Sequence, residues 1–165
     1  MKKSLLRHGA MIAAALFIAN GLLAQDTLNF KTLPPITVTA TDKKIPEKVW
    51  NNFRTYFTTA TNPKWYDANK NYLVKFMTDE DYNGALFSKK GRLIYHVSYG
   101  YKNNLPADLS TQVKNSYLDY YVTSTIRVSE DQRVVWLVNI ENAKYLIIVR
   151  LEDGELEEVD KLKKI

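Results

Sequence analysis

The same pattern of residues begins twice in this chain, about 60 positions apart. Each copy starts with a proline and continues with apolar residues at helical spacing. The two sets are Ile45, Pro46, Val49, Phe53 and Tyr56, then Leu105, Pro106, Leu109, Val113 and Tyr117. Proline is tolerated in the first helical turn because the N–H that it lacks would have no partner there. Since apolar spacing of three to four residues marks one helix face, the sequence predicts two short amphipathic helices, over 46–58 and 106–119.

Strand-like segments follow both helices in the same order. The apolar runs 72–76 and 85–87 correspond to 134–138 and 146–149. Each copy then has a glycine in a predicted hairpin turn, which is Gly91 in the first and Gly154 in the second. Alternating segments, 92–99 and 155–159, complete the copies.

These patterns predict an α+β fold of two tandem repeats, each with one helix followed by three or four antiparallel strands. We expect the first repeat over 45–104 and the second over 105–165, joined in one compact unit. The helices are expected to pack on one face of the sheet, since each has a single apolar face.

Residues 1–24 have the three parts of a secretory signal. A basic start precedes an apolar stretch over 11–19, and Ala24 is small enough to occupy a peptidase pocket. The apolar stretch is shorter than the roughly 20 residues that span a bilayer. We therefore expect cleavage before Gln25, a periplasmic or extracellular location and no stable membrane insertion afterwards. The alternative is an uncleaved anchor.

An extended lead-in is expected over 25–44. Pro34 and Pro35 cannot continue a helix. The alternation over 36–40 is typical of a short edge strand or an extended segment.

Charge and cysteine content exclude several classes of function. The chain has 23 basic and 18 acidic residues, and three of the basic ones lie in the predicted leader, so 20 basic residues balance 18 acidic ones after its removal. That small excess gives no support for a nucleic-acid partner. The absence of cysteine excludes disulfides, thiolate metal sites, a thiol nucleophile and a lipid-modified cysteine.

The sequence contains no recognisable catalytic set. His8 lies in the predicted leader, which leaves His96 without the histidine or cysteine partners of a zinc or iron site. The chain has no Gly-x-Ser-x-Gly turn to present a nucleophile. We therefore expect no enzyme activity, metal or cofactor, and interpret His96 as an ordinary sheet residue. A deep cleft that encloses His96 beside a hydroxyl and a buried acid would contradict this interpretation.

Three acidic clusters fall between strand-like segments, where polar residues cap hairpins. They are 79–81, 130–131 and 152–153. A hydrolase that uses carboxylates alone stays an alternative, and two acidic side chains within about 10 Å inside a pocket would favour it.

Aromatic residues provide the candidate binding site. The chain has 11 tyrosines and 3 tryptophans, and such side chains are enriched at protein interfaces. Tyr95, Tyr99 and Tyr101 share one parity on the strand after Gly91. They either pack under a helix or form an open platform for a peptide, protein or glycan. We name Trp65 with these three tyrosines as partner-binding residues, although a core position is the alternative for Trp65.

Taken together, the proline-started aromatic helix, the strand of Asn62, Pro63 and Trp65, the hairpin Gly91 and the Leu105-Pro106 helix start resemble the secreted PepSY-like proteins. That group is also described as β-lactamase-inhibitor-like. The resemblance covers roughly 45–160 and implies two helix-plus-sheet repeats in an envelope binding or inhibitory module. It brings no catalytic residues.

We therefore predict a secreted or periplasmic, non-catalytic binding module. Its aromatic-bearing sheet face and hairpin tips are expected to recognise a protein or peptide partner. The alternative is an inhibitor or modulator of an envelope hydrolase or peptidase, with the hairpin over 79–83 as the inserting loop.

Overall fold

The computed structural model describes residues 38–41, 44–79 and 81–165. The predicted leader and the lead-in before Val38 lie outside the described residues. The elements are β1 (Val38–Ala40), α1 (Glu47–Tyr56), β2 (Thr61–Ala68), β3 (Asn71–Thr78), β4 (Asp81–Ser88), β5 (Leu93–Gly100), a 3-10 turn (Lys102–Asn104), α2 (Ala107–Ser116), β6 (Tyr121–Glu130), β7 (Arg133–Glu141), β8 (Tyr145–Glu152) and β9 (Glu155–Lys163).

The nine described strands form one antiparallel sheet in chain order, so the α+β prediction is confirmed. A helix followed by four strands occurs twice along the chain. Descent of both halves from one duplicated unit stays a prediction. Among the described residues, no helix is long and apolar enough to span a membrane.

Both helices begin within one residue of the predicted starts and end earlier than predicted. Pro46 and Pro106 precede them with φ values of −55° and −51°, which suit a helix start. After α1 the backbone leaves the helix at Phe57, whose ring packs on Phe76 at 4.6 Å between ring centroids. The apolar period continues through Phe57, so periodicity alone overestimates the length of α1.

Both helices pack on the same face of the sheet. In an antiparallel sheet, residues directly opposite each other point to the same face. One row of such partners crosses β3 to β8, and it contains Phe76, Asn83, Ser98, Arg127, Trp136 and Leu151. Phe76 belongs to the core under α1 and Leu151 to the core under α2. We call this side of the sheet the helix face and the other side the outer face.

The core under α1 is aromatic and the core under α2 is aliphatic. The first consists of Val49, Phe53, Val74, Phe76, Ala85 and Phe87. The second consists of Leu105, Val113, Val138, Ile140, Ile147, Val149 and Leu151. Each large side chain buried in this way contributes about 1.5–3 kcal/mol.

Each helix also holds the hairpin glycine of its own half. Asn52 Nδ2 donates to the Gly91 carbonyl at 2.8 Å, and Gln112 Nε2 donates to the Gly154 carbonyl at 2.9 Å. The glycines have φ values of +84° and +81°, a conformation that favours glycine. This shared contact fixes each helix relative to a hairpin of the sheet.

The side chain of Leu93 departs from simple alternation along β5. Strict alternation on β5 would place Leu93 on the same face as Tyr95. The register shifts between Leu86 and Phe87, and Leu93 pairs with Phe87 and packs in the core under α1. Such a shift reverses side-chain direction, which local alternation does not reveal.

Candidate functional site

The outer face carries three neighbouring tyrosines, Tyr82, Tyr95 and Tyr99. Tyr95 and Tyr99 alternate along β5 with Ser98, which lies on the helix face. Tyr99 pairs with Tyr82 on one side and Ile126 on the other, and the two tyrosine ring centroids are 6.2 Å apart. The structure therefore directs two of the predicted site residues away from both helices.

Burial changes the acidity of these phenols. It raises the pKa of Tyr95 above its ordinary value. Burial also raises the pKa of Tyr99, and the nearby hydroxyls of Tyr95 and Tyr82 raise it further. Both hydroxyls therefore stay protonated at neutral pH and serve as hydrogen-bond donors in a partly apolar surface.

Tyr101 lies just beyond β5, at the start of the 3-10 turn, and is 68% exposed. Its backbone N–H donates to Asn104 Oδ1 at 2.8 Å, and its carbonyl accepts from the Thr125 hydroxyl at 3.3 Å. These contacts fix the backbone of an exposed aromatic residue at the edge of the site.

Trp65 lies on the helix face, apart from the predicted tyrosines. Its ring contacts those of Trp50 and Phe53 at centroid distances of 5.7 and 5.4 Å. Its Nε1 is buried and has no hydrogen-bond partner among the described residues. The structure therefore does not bring Trp65 together with Tyr95, Tyr99 and Tyr101.

The helix face contains a second feature, an open cavity of about 390 Å³ that we call the central cleft. It lies between the C-terminal end of α1 and the 3-10 turn, with β5 and β6 as its floor. Its polar and aromatic lining includes Asp81, Asn83, His96, Ser98, Arg127 and Trp136. His96 is therefore a residue of β5 that also lines the cleft.

Asn83 determines the tautomer of His96. Its Nδ2 donates to Thr78 Oγ1 at 2.7 Å and to the Asp81 carbonyl at 2.9 Å, so its Oδ1 is left to accept. His96 Nε2 lies 2.9 Å from that oxygen and must be the protonated nitrogen. His96 Nδ1 is consequently an acceptor.

The imidazole is neutral at pH 7. Burial, assisted by the positive charge of Arg127, lowers the pKa of His96 from 6.5 to about 4. The ring also contacts Phe57, with centroids 4.8 Å apart, on the wall formed by the end of α1. A base of such low pKa is poorly matched to proton transfer at neutral pH.

Asp81 is held by the 3-10 turn. Asn104 Nδ2 donates to both of its carboxylate oxygens at 2.9 Å, and Ser98 Oγ donates at 3.5 Å. The Asn104 side chain lies directly over Gly100, where a Cβ would be 2.6 Å from Asn104 Cγ. Gly100 is therefore needed for the route by which Asn104 reaches the carboxylate.

The cleft places His96, Ser98 and Asp81 together, but it is open and Asp81 is only partly buried, so it is not the deep cleft with a buried acid that would contradict a non-catalytic function. Their contacts differ from those of a hydrolytic triad, in which the hydroxyl donates to the histidine and the histidine to the acid. Here Ser98 donates to Asp81, and His96 donates to Asn83.

The carboxylates in the cleft have other roles. Asp79 also lines the cleft but is exposed at its rim, and both oxygens of Asp81 are occupied by Asn104. Across the described residues, no three metal-ligating side chains form a group that could hold an ion. The geometry favours binding over acid–base chemistry.

Sequence reasoning missed Arg127, Asn83 and Asn104 as members of a site. Alternation along β5 already placed Ser98 on the face of His96. Arg127 joins them only because β6 pairs with β5 in a register that sets it opposite Ser98. No local pattern in the sequence encodes that register.

Solved structures with a similar fold come from Bacteroides species. A BLIP-like protein from Bacteroides fragilis is 16% identical, with a TM-score of 0.56 over 81% of this chain and 89% of that one. A DUF2874 family protein from Bacteroides uniformis is 12% identical, with a TM-score of 0.54 over 72% and 88%. A protein from Bacteroides eggerthii, named as a candidate periplasmic protein, is 12% identical, with a TM-score of 0.54 over 73% and 90%.

No protein-family model matches the chain, and no curated protein matches it significantly. The PepSY part of the resemblance therefore stays a prediction. Identities this low show the fold alone, and the chain has the fold of the BLIP-like and DUF2874 proteins.

Proposed function

We propose that this chain is an exported, non-catalytic binding module that holds a protein or peptide partner on its outer face. The observation that carries the proposal is the group of Tyr82, Tyr95 and Tyr99 on a sheet face that neither described helix covers. Tyrosine combines a large apolar ring with a hydroxyl, and it is enriched at the energetic centres of interfaces.

The surroundings of the tyrosines have the composition of an interface. Ile126 lies opposite Tyr99 on the outer face, is partly exposed and provides an apolar centre, whereas Val97 on the same face is fully buried. Toward β2, the Lys75 ammonium lies 5.5 Å from the centre of the Tyr66 ring and adds a polar margin. An apolar centre with a polar rim is the usual anatomy of a protein-binding surface.

The proposal assigns different roles to the four predicted residues. Tyr95 and Tyr99 contact the partner directly, and exposed Tyr101 extends the surface at its edge. Trp65 lies on the helix face, so it supports the sheet rather than touching the partner.

Export and repetition belong to the same proposal. The basic, apolar and small-residue parts of 1–24 support export to the periplasm or beyond, as does the candidate periplasmic protein among the similar structures. The helix followed by four strands in each half supports two tandem repeats.

Partner recovery from an envelope extract tests the proposal. We expect Tyr99→Ala and Tyr95→Ala each to reduce recovery of the same bound protein about tenfold or more, since truncation of a central interface tyrosine has a large effect. Tyr82→Ala, at a residue 44% exposed, affects the fold less and should act in the same direction. Leu118→Ala is the matched control, because Leu118 is 85% exposed and follows α2. Unchanged recovery by all three folded tyrosine variants would remove the outer face from the site.

The likeness to a BLIP-like protein favours a second candidate function, modulation of an envelope hydrolase or peptidase. In the hairpin expected to insert, over 79–83, Asn83 is 2% exposed and hydrogen-bonded to the Asp81 carbonyl, so its side chain is not free to enter an active site. We therefore propose the outer face as the inhibitory surface. Activity-based profiling of envelope hydrolases should show one band weakened by the protein and restored with Tyr99→Ala. A profile unchanged by the protein contradicts this function.

A further inference from the structure

The central cleft contains a donor group and an acceptor group that have no side-chain partner among the described residues. Among the residues that the structure describes, no hydrogen bond or ion pair joins Arg127 to another side chain. His96 Nδ1 accepts no hydrogen bond in the same part of the chain, because the one polar contact of this ring is through Nε2. Both groups are accessible to solvent. Among the described residues, the only buried side-chain polar atom without a hydrogen-bond partner is Trp65 Nε1.

The two groups are close neighbours on the cleft floor. Arg127 pairs with Ser98, and His96 pairs with Ser129, so Arg127 and His96 are diagonal neighbours on one sheet face. Diagonal neighbours have Cα atoms about 7–8 Å apart, and a long side chain reaches across that distance. The electrostatic effect of Arg127 on His96 agrees with this proximity. One small ligand can therefore contact both.

The chemistry of the pair limits the ligand. The guanidinium offers several N–H donors in a planar fork, which matches a carboxylate. Neutral His96 requires a donor, which an amide N–H or a hydroxyl next to the carboxylate supplies. Trp136 stands directly opposite Arg127 on β7 and gives the same ligand an apolar wall.

The remaining charges of the described cleft residues disfavour a dianion. Among the described residues that line the cleft, the charged ones are Arg127, Asp79 and Asp81, which sum to −1 with neutral His96. A dianion such as a phosphate monoester would meet repulsion from both carboxylates, whereas a carboxylate brings one charge to the one arginine.

We propose that the central cleft binds a carboxylate that has a neighbouring N–H or O–H donor, with the carboxylate on Arg127 and the donor on His96 Nδ1. A C-terminal peptide residue and a uronic acid both present this chemistry. The site lies on the helix face, so it stands independently of the partner proposed for the outer face.

Histidine NMR provides a direct test. In the full chain that carries His8→Gln, His96 is the only histidine. The probes are N-acetyl-alanine with its amide, and D-glucuronate with D-glucose. We expect saturable shifts of the His96 ring signals with at least one acid and none with its neutral counterpart. Response to N-acetyl-alanine assigns the peptide source, and response to glucuronate assigns the glycan source.

Two variants and a control connect the response to Arg127. Arg127→Gln should weaken binding of the acid about tenfold or more, as expected for loss of a charge-assisted contact. Arg127→Lys keeps the positive charge but lacks the planar guanidinium, and it should weaken binding of the acid less than Arg127→Gln does. Arg92→Gln should leave it unchanged, because Arg92 is exposed and lies 3.9 Å from Asp131. Equal responses to an acid and its neutral counterpart, wild-type affinity in folded Arg127→Gln, or no response to either acid at its solubility limit would each overturn the proposal.

Discussion

The two halves of the molecule share an order of elements and differ in how closely the helix approaches the sheet. In the first half the shorter amide of Asn52 reaches Gly91, and a Cβ on that glycine would lie 2.9 Å from Asn52 Nδ2. In the second half the longer Gln112 reaches Gly154, where a Cβ would have no atom within 4 Å. The side chain that is longer by one methylene therefore belongs to the half in which the helix lies farther from the hairpin glycine. We call the first half tight and the second half loose in this sense.

The cores follow the same distinction. Phe53 on α1 contacts the rings of Trp65, Phe76 and Phe87. Val113 occupies the equivalent place on α2 and packs among aliphatic residues. A large ring surrounded by rings leaves more empty volume on truncation than a small aliphatic side chain does, so matched substitutions can measure the difference.

Truncation of the two helix anchors should give the largest effect. Phe53→Ala is expected to lower the free energy of unfolding by about 4 kcal/mol, since the surrounding rings cannot fill the cavity. Val113→Ala should lower it by about 2 kcal/mol, because it removes two methyl groups. Urea unfolding measures both values, and equal losses would contradict the contrast between the cores.

Alanine substitution of the two hairpin glycines should give the next largest difference in the free energy of unfolding. Gly91→Ala is expected to cost about 3 kcal/mol, because φ is positive and the new Cβ displaces Asn52 and crowds the Lys48 carbonyl at 3.1 Å. Gly154→Ala adds only the backbone strain, about 1 kcal/mol. Thermal and urea unfolding of the pair provide the measurement. A greater loss at Gly154 would reverse the assignment of tight and loose halves.

Acid should affect stability through His96, and the second half has no histidine. The pKa of His96 is about 4 in the folded protein and 6.5 as the reference value, so the unfolded chain binds the proton more readily. Stability gained from neutral His96 is present above pH 6.5 and is lost as the pH falls toward 4. Its full extent is on the order of 2 kcal/mol after allowance for partial exposure.

Urea unfolding at several pH values, for the wild type and His96→Gln, measures this effect. The variant should lose the part of the pH dependence between pH 6.5 and 4 that the histidine supplies. Parallel curves for the two proteins in that range would show that His96 is not responsible.

Removal of the amides that hold the glycines should have the smallest effect. Asn52→Ala is expected to cost about 1 kcal/mol, because its hydrogen bond is partly buried. Gln112→Ala should cost a few tenths of a kcal/mol, since its hydrogen bond is exposed. Differential scanning calorimetry can resolve the order, and a larger loss at Gln112 would contradict it.

The elements were predictable because their signals are local. Proline at both helix starts, glycine at both hairpins and apolar alternation specify which segments form helices and strands. The helix ends were less predictable, since Phe57 satisfies the helical period while its ring already packs against the sheet.

The candidate sites were predictable only in part. The common parity of Tyr95 and Tyr99 came from alternation, but whether a helix covered them depended on the face that α1 and α2 share. The central cleft depends on register between strands, which brings Arg127 opposite Ser98. Because the register is set by the packing of the whole sheet, it cannot be predicted from any single segment.

In the native envelope the outer face should be occupied by its partner. Hydroxyl-radical footprinting of the native extract and of the purified protein measures this by tyrosine oxidation. Tyr82 and Tyr101, 44% and 68% exposed, should be oxidised several-fold less in the extract, whereas Tyr56, 58% exposed on α1, should react equally in both. Equal oxidation of Tyr82 and Tyr101 in the two samples would contradict a partner on this face.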